Sequence, residues 1–182
     1  MLTAETAAGK STAVPLALME AFPGKILVTE PRRLAAVAVA SRHAQLLGEP
    51  VGIRAGYRLR YDTCVSSATK IHVMTDAILT RMIQVDPALD GVSVIVLDEF
   101  HERSLHTDLS LAFLKEIMVL RDDLYLVVMS ATMDVGRVAH YLGEGETAPC
   151  LHVEACLSSP APALAAARLP MSSSLPSCSA IA

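Results

Sequence analysis

The sequence predicts an α/β fold in which a parallel β-sheet is covered by helices on both faces. Four short apolar runs alternate with four longer helical stretches, and this alternation requires right-handed crossovers between parallel strands. The chain is 52% hydrophobic and 19% charged, as suits strands that are buried on both faces. The predicted strands are residues 25–29, 71–74, 92–97 and 124–129, and the predicted helices are residues 12–21, 34–47, 76–85 and 107–120.

Two carboxylates, Asp98 and Glu99, directly follow the third predicted strand. Ligands bind at the carboxyl ends of strands in parallel sheets. An NTPase needs one carboxylate there to hold Mg²⁺, mostly through water, and a second to orient and deprotonate the attacking water. This chemistry assigns Asp98 to the metal and Glu99 to the general base. By itself the pattern is equally typical of a strand that ends in an acidic residue for solubility or helix capping.

A candidate phosphate-binding loop precedes the first predicted helix and ends in Gly9-Lys10-Ser11. Backbone N–H groups at the helix start would hold the β-phosphate, Lys10 would reach the β and γ oxygens, and Ser11 would bind Mg²⁺. The tripeptide alone also fits an ordinary helix start, but its position ahead of the Asp-Glu strand favours a nucleotide site. The predicted nucleotide-binding residues are Thr6, Ala7, Ala8, Gly9, Lys10, Ser11 and Thr12.

A third element, Ser130-Ala131-Thr132, follows the last predicted strand. It could simply cap the helix predicted to begin near residue 134. The order of the motifs, however, resembles the first RecA-like motor domain of superfamily 2 helicases, and the run from Asp98 to Ser104 narrows the resemblance to DEAH-box helicases of the bacterial HrpB type. The resemblance covers roughly residues 3–142 and rests also on residues 30–36, 56–58 and 79–84.

This resemblance implies a RecA-like P-loop NTPase domain that hydrolyses ATP with Mg²⁺. It implies that Ser130, Ala131 and Thr132 couple hydrolysis to movement and that His101 connects the hydrolysis site to this element, although His101 could also be only a helix-entry residue. It further implies that four residues, Arg32, Arg33, Thr75 and Asp76, contact a nucleic-acid backbone. For Thr75 and Asp76, helix capping is the simpler interpretation. The other histidines, at 43, 72, 106, 140 and 152, are expected to be structural or surface residues.

Ala7 stands where the loop of the resembled family has its middle glycine, and only three residues precede Ala4 where that family has a full strand. A Cβ at a position that needs positive φ costs about 1 kcal/mol or more. Two functions therefore stay open. The chain is either an ATPase motor domain or a non-catalytic remnant with weak nucleotide or nucleic-acid binding.

The charge distribution indicates a nucleic-acid partner. Although the net charge is −4, residues 31–61 contain six arginines against one glutamate, which is typical of a surface that follows phosphates. Aromatic residues make up only 4% of the chain, so backbone contact to single-stranded RNA or DNA is favoured over base stacking.

The expected organisation is one RecA-like domain over residues 1–153, shortened at its amino end, and an Ala/Ser/Pro-rich segment over 154–182 that is expected to be disordered. No second phosphate loop is visible in the sequence, so a second RecA-like domain is an expected partner outside it. No apolar run reaches the length of a membrane span, no secretory signal is evident, and the four cysteines lack metal-ligand spacing. These observations predict a cytoplasmic protein.

Overall fold

A computed structural model describes residues 2–4, 9–130, 135–143 and 151–153, and all structural statements concern these residues. They form one eight-stranded sheet in the order β4-β3-β5-β2-β6-β7-β1-β8. Neighbouring strands are parallel, except that β3 and β4 are antiparallel. The strands are β1 (Leu2–Ala4), β2 (Lys25–Glu30), β3 (Ala55–Arg58), β4 (Thr63–Cys64), β5 (Ile71–Thr75), β6 (Val92–Leu97), β7 (Tyr125–Ser130) and β8 (Leu151–Val153).

The helices lie on both faces of this sheet. They are α1 (Lys10–Ala21), α2 (Arg33–Leu46), α3 (Asp76–Val85), α4 (Leu105–Leu120) and α5 (Val135–Leu142), and a single 3₁₀ turn covers Phe100–Glu102. Within the described residues, none of these helices is both long and apolar enough to cross a membrane.

Alternation along the central strands divides the core into two layers. In β2, Leu27 packs with buried residues of α3 and α4, whereas Ile26 and Val28 pack with residues of α1 and α2. Successive side chains of a strand point to opposite faces, so one continuous apolar run supplies both layers. The predicted fold, a parallel sheet between two helical layers, is confirmed.

The predicted elements agree with the structure to within a few residues, and β6 and α3 have the predicted bounds. Three strands, β3, β4 and β8, were not predicted. The short first strand does form: β1 has three residues and pairs in parallel with both β7 and β8. The tail from residue 154, the loop at 5–8 and residues 131–134 lie outside the described part of the chain.

Candidate nucleotide and nucleic-acid site

The strand register brings the predicted motifs to one edge of the sheet. Thr29 of β2 pairs with Met74 of β5 and with Leu97 of β6. The residues that follow these partners are Glu30, Thr75 and Asp98, so these three residues share the carboxyl edge. The neighbouring strand β7 ends there at Ser130. Residues that were predicted from separate parts of the sequence therefore lie close together in the structure.

The start of α1 reaches the same edge through Lys10. Its Nζ donates a hydrogen bond to the main-chain carbonyl of Ser130 at 3.3 Å, and the residue is only 8% exposed. Gly9, the N-cap, has a φ of +69°, a conformation that glycine adopts without steric cost. Ser11 and Thr12 are half-buried in the first turn of α1. The remaining predicted loop residues, Thr6, Ala7 and Ala8, lie outside the described residues.

Asp98 presents a carboxylate oxygen that is buried and lacks a described partner. The residue is 2% exposed, and its Oδ1 accepts a hydrogen bond from the Glu99 N–H at 2.8 Å, whereas its Oδ2 accepts none from the described residues. A buried anionic oxygen is costly unless a cation, or the proton of a neighbouring carboxyl such as that of Glu30, approaches it. Asp98 is therefore suited to bind a metal ion.

The donor set around Asp98 fits Mg²⁺ better than a metal held by protein ligands alone. No group of three or more His, Cys, Asp or Glu side chains that could hold a metal occurs within the described ranges. Mg²⁺ commonly uses one or two protein carboxylates and takes its other ligands from water and substrate phosphates. The hydroxyl oxygens of Thr29 and Ser130 are also buried at this edge without a described partner.

Glu99 begins a strained turn and remains accessible. Two non-glycine residues at the ends of this turn have positive φ, Glu99 at +48° and Arg103 at +45°. Such conformations cost energy and are often found at functional sites. The Oε2 of Glu99 lies 3.2 Å from Nδ1 of His101, and both side chains are partly exposed. Solvent can therefore reach Glu99, as a general base for water requires.

Asp76 directs its carboxylate into the protein. The residue is 6% exposed, and its Oδ2 accepts hydrogen bonds from Ser104 Oγ at 3.1 Å and from Thr107 Oγ1 at 2.6 Å. Thr75, the N-cap of α3, makes no side-chain capping hydrogen bond. An anionic ligand at this turn would therefore meet backbone N–H groups of the α3 start and not the Asp76 carboxylate.

Arg32 and Arg33 are exposed at the start of α2. Arg32 donates to Oε1 of Glu102 at 2.8 Å, and this pair is open to solvent. An exposed ion pair contributes little stability, so Arg32 can exchange Glu102 for a phosphate at small cost. The pair also connects the β2–α2 junction to the turn that follows Asp98 and Glu99.

The DEAD/DEAH box helicase model matches residues 1–140. The chain belongs to this helicase family. It is 53% identical over 148 residues to the ATP-dependent RNA helicase HrpB of Escherichia coli (strain K12), with 79% of this chain and 18% of HrpB covered. It is 44% identical over 152 residues to the probable ATP-dependent RNA helicase DHX35 of Homo sapiens, covering 81% of this chain and 22% of DHX35.

Solved structures give the same assignment. The crystal structure of the E. coli DExH-box NTPase HrpB matches with a TM-score of 0.78 and 52% sequence identity, over 84% of this chain and 19% of that one. The resemblance to HrpB-type DEAH-box helicases and the RecA-like fold are therefore confirmed. The chain spans about a fifth of the length of these helicases.

One residue of this candidate site, Glu30, was not predicted. Burial raises its pKa to about 8, and the neighbouring carboxylates of Asp98 and Glu99 add to the rise. Glu30 is therefore mostly protonated at neutral pH, and its carboxyl proton can be shared with Asp98 until a cation takes its place. The sequence signal was present, since Glu30 directly follows the predicted strand at residues 25–29 as Asp98 follows that at residues 92–97.

Proposed function

We propose that this chain is the ATP-hydrolysing motor domain of a DEAH-box helicase of the HrpB type. The observation that carries the proposal is the buried Oδ2 of Asp98, which has no N–H or hydroxyl donor among the described residues, at the sheet edge where Lys10 bonds to the end of β7. A carboxylate in need of a cation and an ammonium at a helix start are the two charges that a Mg-nucleotide requires. The family membership and the ATP-dependent activity in the relatives' names support the same conclusion.

Each residue has a defined part in this proposal. Ser11 and Asp98 would hold Mg²⁺, partly through water, and Lys10 would neutralise phosphate charge together with the N–H groups of the loop. Bound Mg²⁺ would supply charge neutralisation for the phosphates. Glu99 would accept the proton of the attacking water, and His101 beside it would help to orient its carboxylate. Ser130, Ala131 and Thr132 would couple hydrolysis to movement.

The nucleic-acid partner would be a single strand of RNA or DNA held by its backbone. Arg32 and Arg33 would contact phosphates, and the start of α3 at Thr75 and Asp76 would offer backbone N–H groups. These positions lie on the carboxyl edge that also carries the hydrolysis residues. Binding would be strongly salt-dependent and weakly sequence-dependent.

Strand separation would require a second RecA-like domain. The matched residues cover only 18% and 22% of the relatives named as helicases, and unwinding needs two domains that open and close on the strand. We propose that the 182-residue chain by itself hydrolyses ATP without separating a duplex. The predicted location is the cytoplasm.

A second candidate is a domain that binds nucleotide or nucleic acid weakly and does not hydrolyse ATP. Ala7 favours this alternative, because the resembled family has glycine there and a Cβ can oppose the bound loop conformation. The two candidates differ in whether the chain hydrolyses ATP.

The deciding experiment is steady-state ATP hydrolysis by the purified chain with Mg²⁺, with and without single-stranded RNA. Glu99→Gln is the control for contaminating ATPase, since it changes one atom of one side chain. Turnover that RNA stimulates and that Glu99→Gln abolishes would support the motor domain. Binding of Mg-ATP or RNA without turnover above the Glu99→Gln level would favour the second candidate, and absence of both nucleotide and RNA binding would contradict both candidates.

A further inference from the structure

Pro15 interrupts the hydrogen bonding of the helix that carries the predicted phosphate-binding residues. It is buried in the interior of α1, which runs from Lys10 to Ala21. In an α-helix the N–H of residue 15 would donate to the carbonyl of residue 11. Proline has no N–H, so the Ser11 carbonyl loses its helical donor. Ser11 is also the residue whose hydroxyl is proposed to bind Mg²⁺.

A side chain from a different helix occupies that vacant bonding position. Nε2 of His43, in the last turn of α2, lies 2.9 Å from the Ser11 carbonyl oxygen. A carbonyl oxygen can only accept, so the proton must be on Nε2 of His43. The imidazole is fully buried at 0% exposure, and its Nδ1 has no partner among the described residues. This geometry fixes the tautomer.

The charge state of His43 agrees with that tautomer. Burial lowers its pKa, and hydrogen bonds to the main chain of Ser11 and Thr12 offset only part of this effect. A neutral imidazole carries a single proton, and the contact with the Ser11 carbonyl places it on Nε2. That proton is used to satisfy the Ser11 carbonyl.

We propose that His43 is a positioning residue for the nucleotide site, because its Nε2–H replaces the hydrogen bond that Pro15 removes and so holds the first turn of α1 in its binding conformation. The inference rests on the proposed function. Without the bond, the Ser11 carbonyl would have to turn towards water, and this rotation would move the Ser11 hydroxyl and the neighbouring N–H groups. Nucleotide binding would then have to restore the alignment.

Pro15 and His43 form a compensating pair, and this makes the proposal testable by rescue. In Pro15→Ala the residue regains an N–H that can donate to Ser11, so His43 should become dispensable for nucleotide binding. The experiment measures the dissociation constant of a non-hydrolysable ATP analogue with Mg²⁺ by calorimetry. The proteins are wild type, His43→Leu, His43→Gln, Pro15→Ala and the double variant Pro15→Ala/His43→Leu, each checked for folding by circular dichroism.

The expected results depend on which hydrogen-bond donor remains for the Ser11 carbonyl. His43→Leu should weaken analogue binding about fivefold or more, the scale of a hydrogen bond lost from a buried carbonyl. His43→Gln, which keeps a side-chain N–H, should lose less. Pro15→Ala should bind within about twofold of wild type. The double variant should also bind within about twofold of wild type, although it has lost the same imidazole as His43→Leu.

Three outcomes would overturn the inference. A double variant that binds the analogue as weakly as His43→Leu would show that the ring acts through packing and not through the Ser11 carbonyl. Wild-type affinity in a folded His43→Leu would show that the hydrogen bond is dispensable. If His43→Leu does not fold, a double variant that binds fivefold more weakly than Pro15→Ala contradicts the proposal equally well. Failure of wild type itself to bind the analogue would instead defeat the proposed function, and the inference with it.

Discussion

Lys10 donates from its ammonium to the main-chain carbonyl of Ser130 across 3.3 Å, and 120 residues separate the two in sequence. This bond connects the start of α1 to the end of β7. The first and last of the predicted motifs are therefore in direct contact. An ammonium held at this point lies beside the position proposed for the β and γ phosphates.

Lys10→Ala should weaken binding of Mg-ATP analogues, because it removes a positive charge and its hydrogen bonds from the phosphates. The expected loss is roughly tenfold to a hundredfold in dissociation constant, the scale of hydrogen bonds to charged groups. Titration calorimetry measures it. Lys25→Ala is the matched control, since Lys25 is exposed at the amino end of β2. Equal losses in both variants would contradict a phosphate role for Lys10.

Glu99→Gln should abolish ATP turnover while Mg-nucleotide binding survives, because the amide keeps the shape of the carboxylate and cannot accept a proton. Loss of a general base typically lowers turnover by about 10² to 10⁴. Binding should stay within about twofold of wild type. Glu102→Gln is the control in the same turn, where Glu102 pairs with the exposed Arg32. If Glu99→Gln also abolished binding, Glu99 would have a structural role instead.

The strand that leads to Asp98 and Glu99 was predictable because its pattern is local. A run that is apolar except for Ser93, followed by the carboxylates of Asp98 and Glu99, marks β6, and the structure gives the predicted bounds. Strands β3 and β4 gave no comparable signal. One has four residues that include a glycine, and the other has only two residues. Runs this short contain too few residues to show a period of two.

The contacts that complete the site depend on packing and not on local pattern. Glu30 lies near Asp98 only because β2 is next to β6 in the sheet. The order of the strands cannot be predicted from any short segment of the sequence. His43 carries no motif, and its bond to Ser11 spans 32 residues through the packing of α2 on α1. The missing N–H at Pro15 was visible in the sequence, but the group that replaces it was not.

Ala7→Gly should tighten binding of a non-hydrolysable ATP analogue with Mg²⁺. The resembled family has glycine at this position, and relief of about 1 kcal/mol of backbone strain corresponds to roughly a fivefold lower dissociation constant. Ala7 lies outside the described residues, so the prediction rests on the sequence. Ala21→Gly, at the last residue of α1, controls for a general effect of an added glycine. Unchanged or weaker binding in Ala7→Gly would mean that alanine already permits the bound conformation.

His72 should make the fold less stable in mild acid. It is buried in β5, its Nε2 lies 2.9 Å from the Thr69 carbonyl oxygen, and burial lowers its pKa to about 4, assisted by the positive charges of Arg58 and Lys25. Between pH 6.5 and about 4 the unfolded chain therefore binds a proton at His72 that the folded chain does not. The stabilisation is complete above pH 6.5 and is lost as the pH falls towards 4, with a slope of at most about 1.4 kcal/mol per pH unit.

His72→Gln isolates this contribution, because the amide can still donate to Thr69 and does not titrate. Denaturant unfolding at pH 4.5, 5.5 and 7 gives the free energy of unfolding, and the wild-type value should fall relative to that of the variant as the pH decreases. The measured quantity is the difference in free energy of unfolding between wild type and His72→Gln, because other groups also titrate. Glu30, with its raised pKa, makes the stability of both proteins change with pH in the opposite direction between pH 4.5 and 8. His43, with its lowered pKa, adds a slope of the same sign as His72 in both proteins. His106→Gln, at an exposed position, is the control and should follow the wild-type profile. A constant difference in free energy of unfolding between wild type and His72→Gln at all three pH values would show that His72 does not titrate in this window.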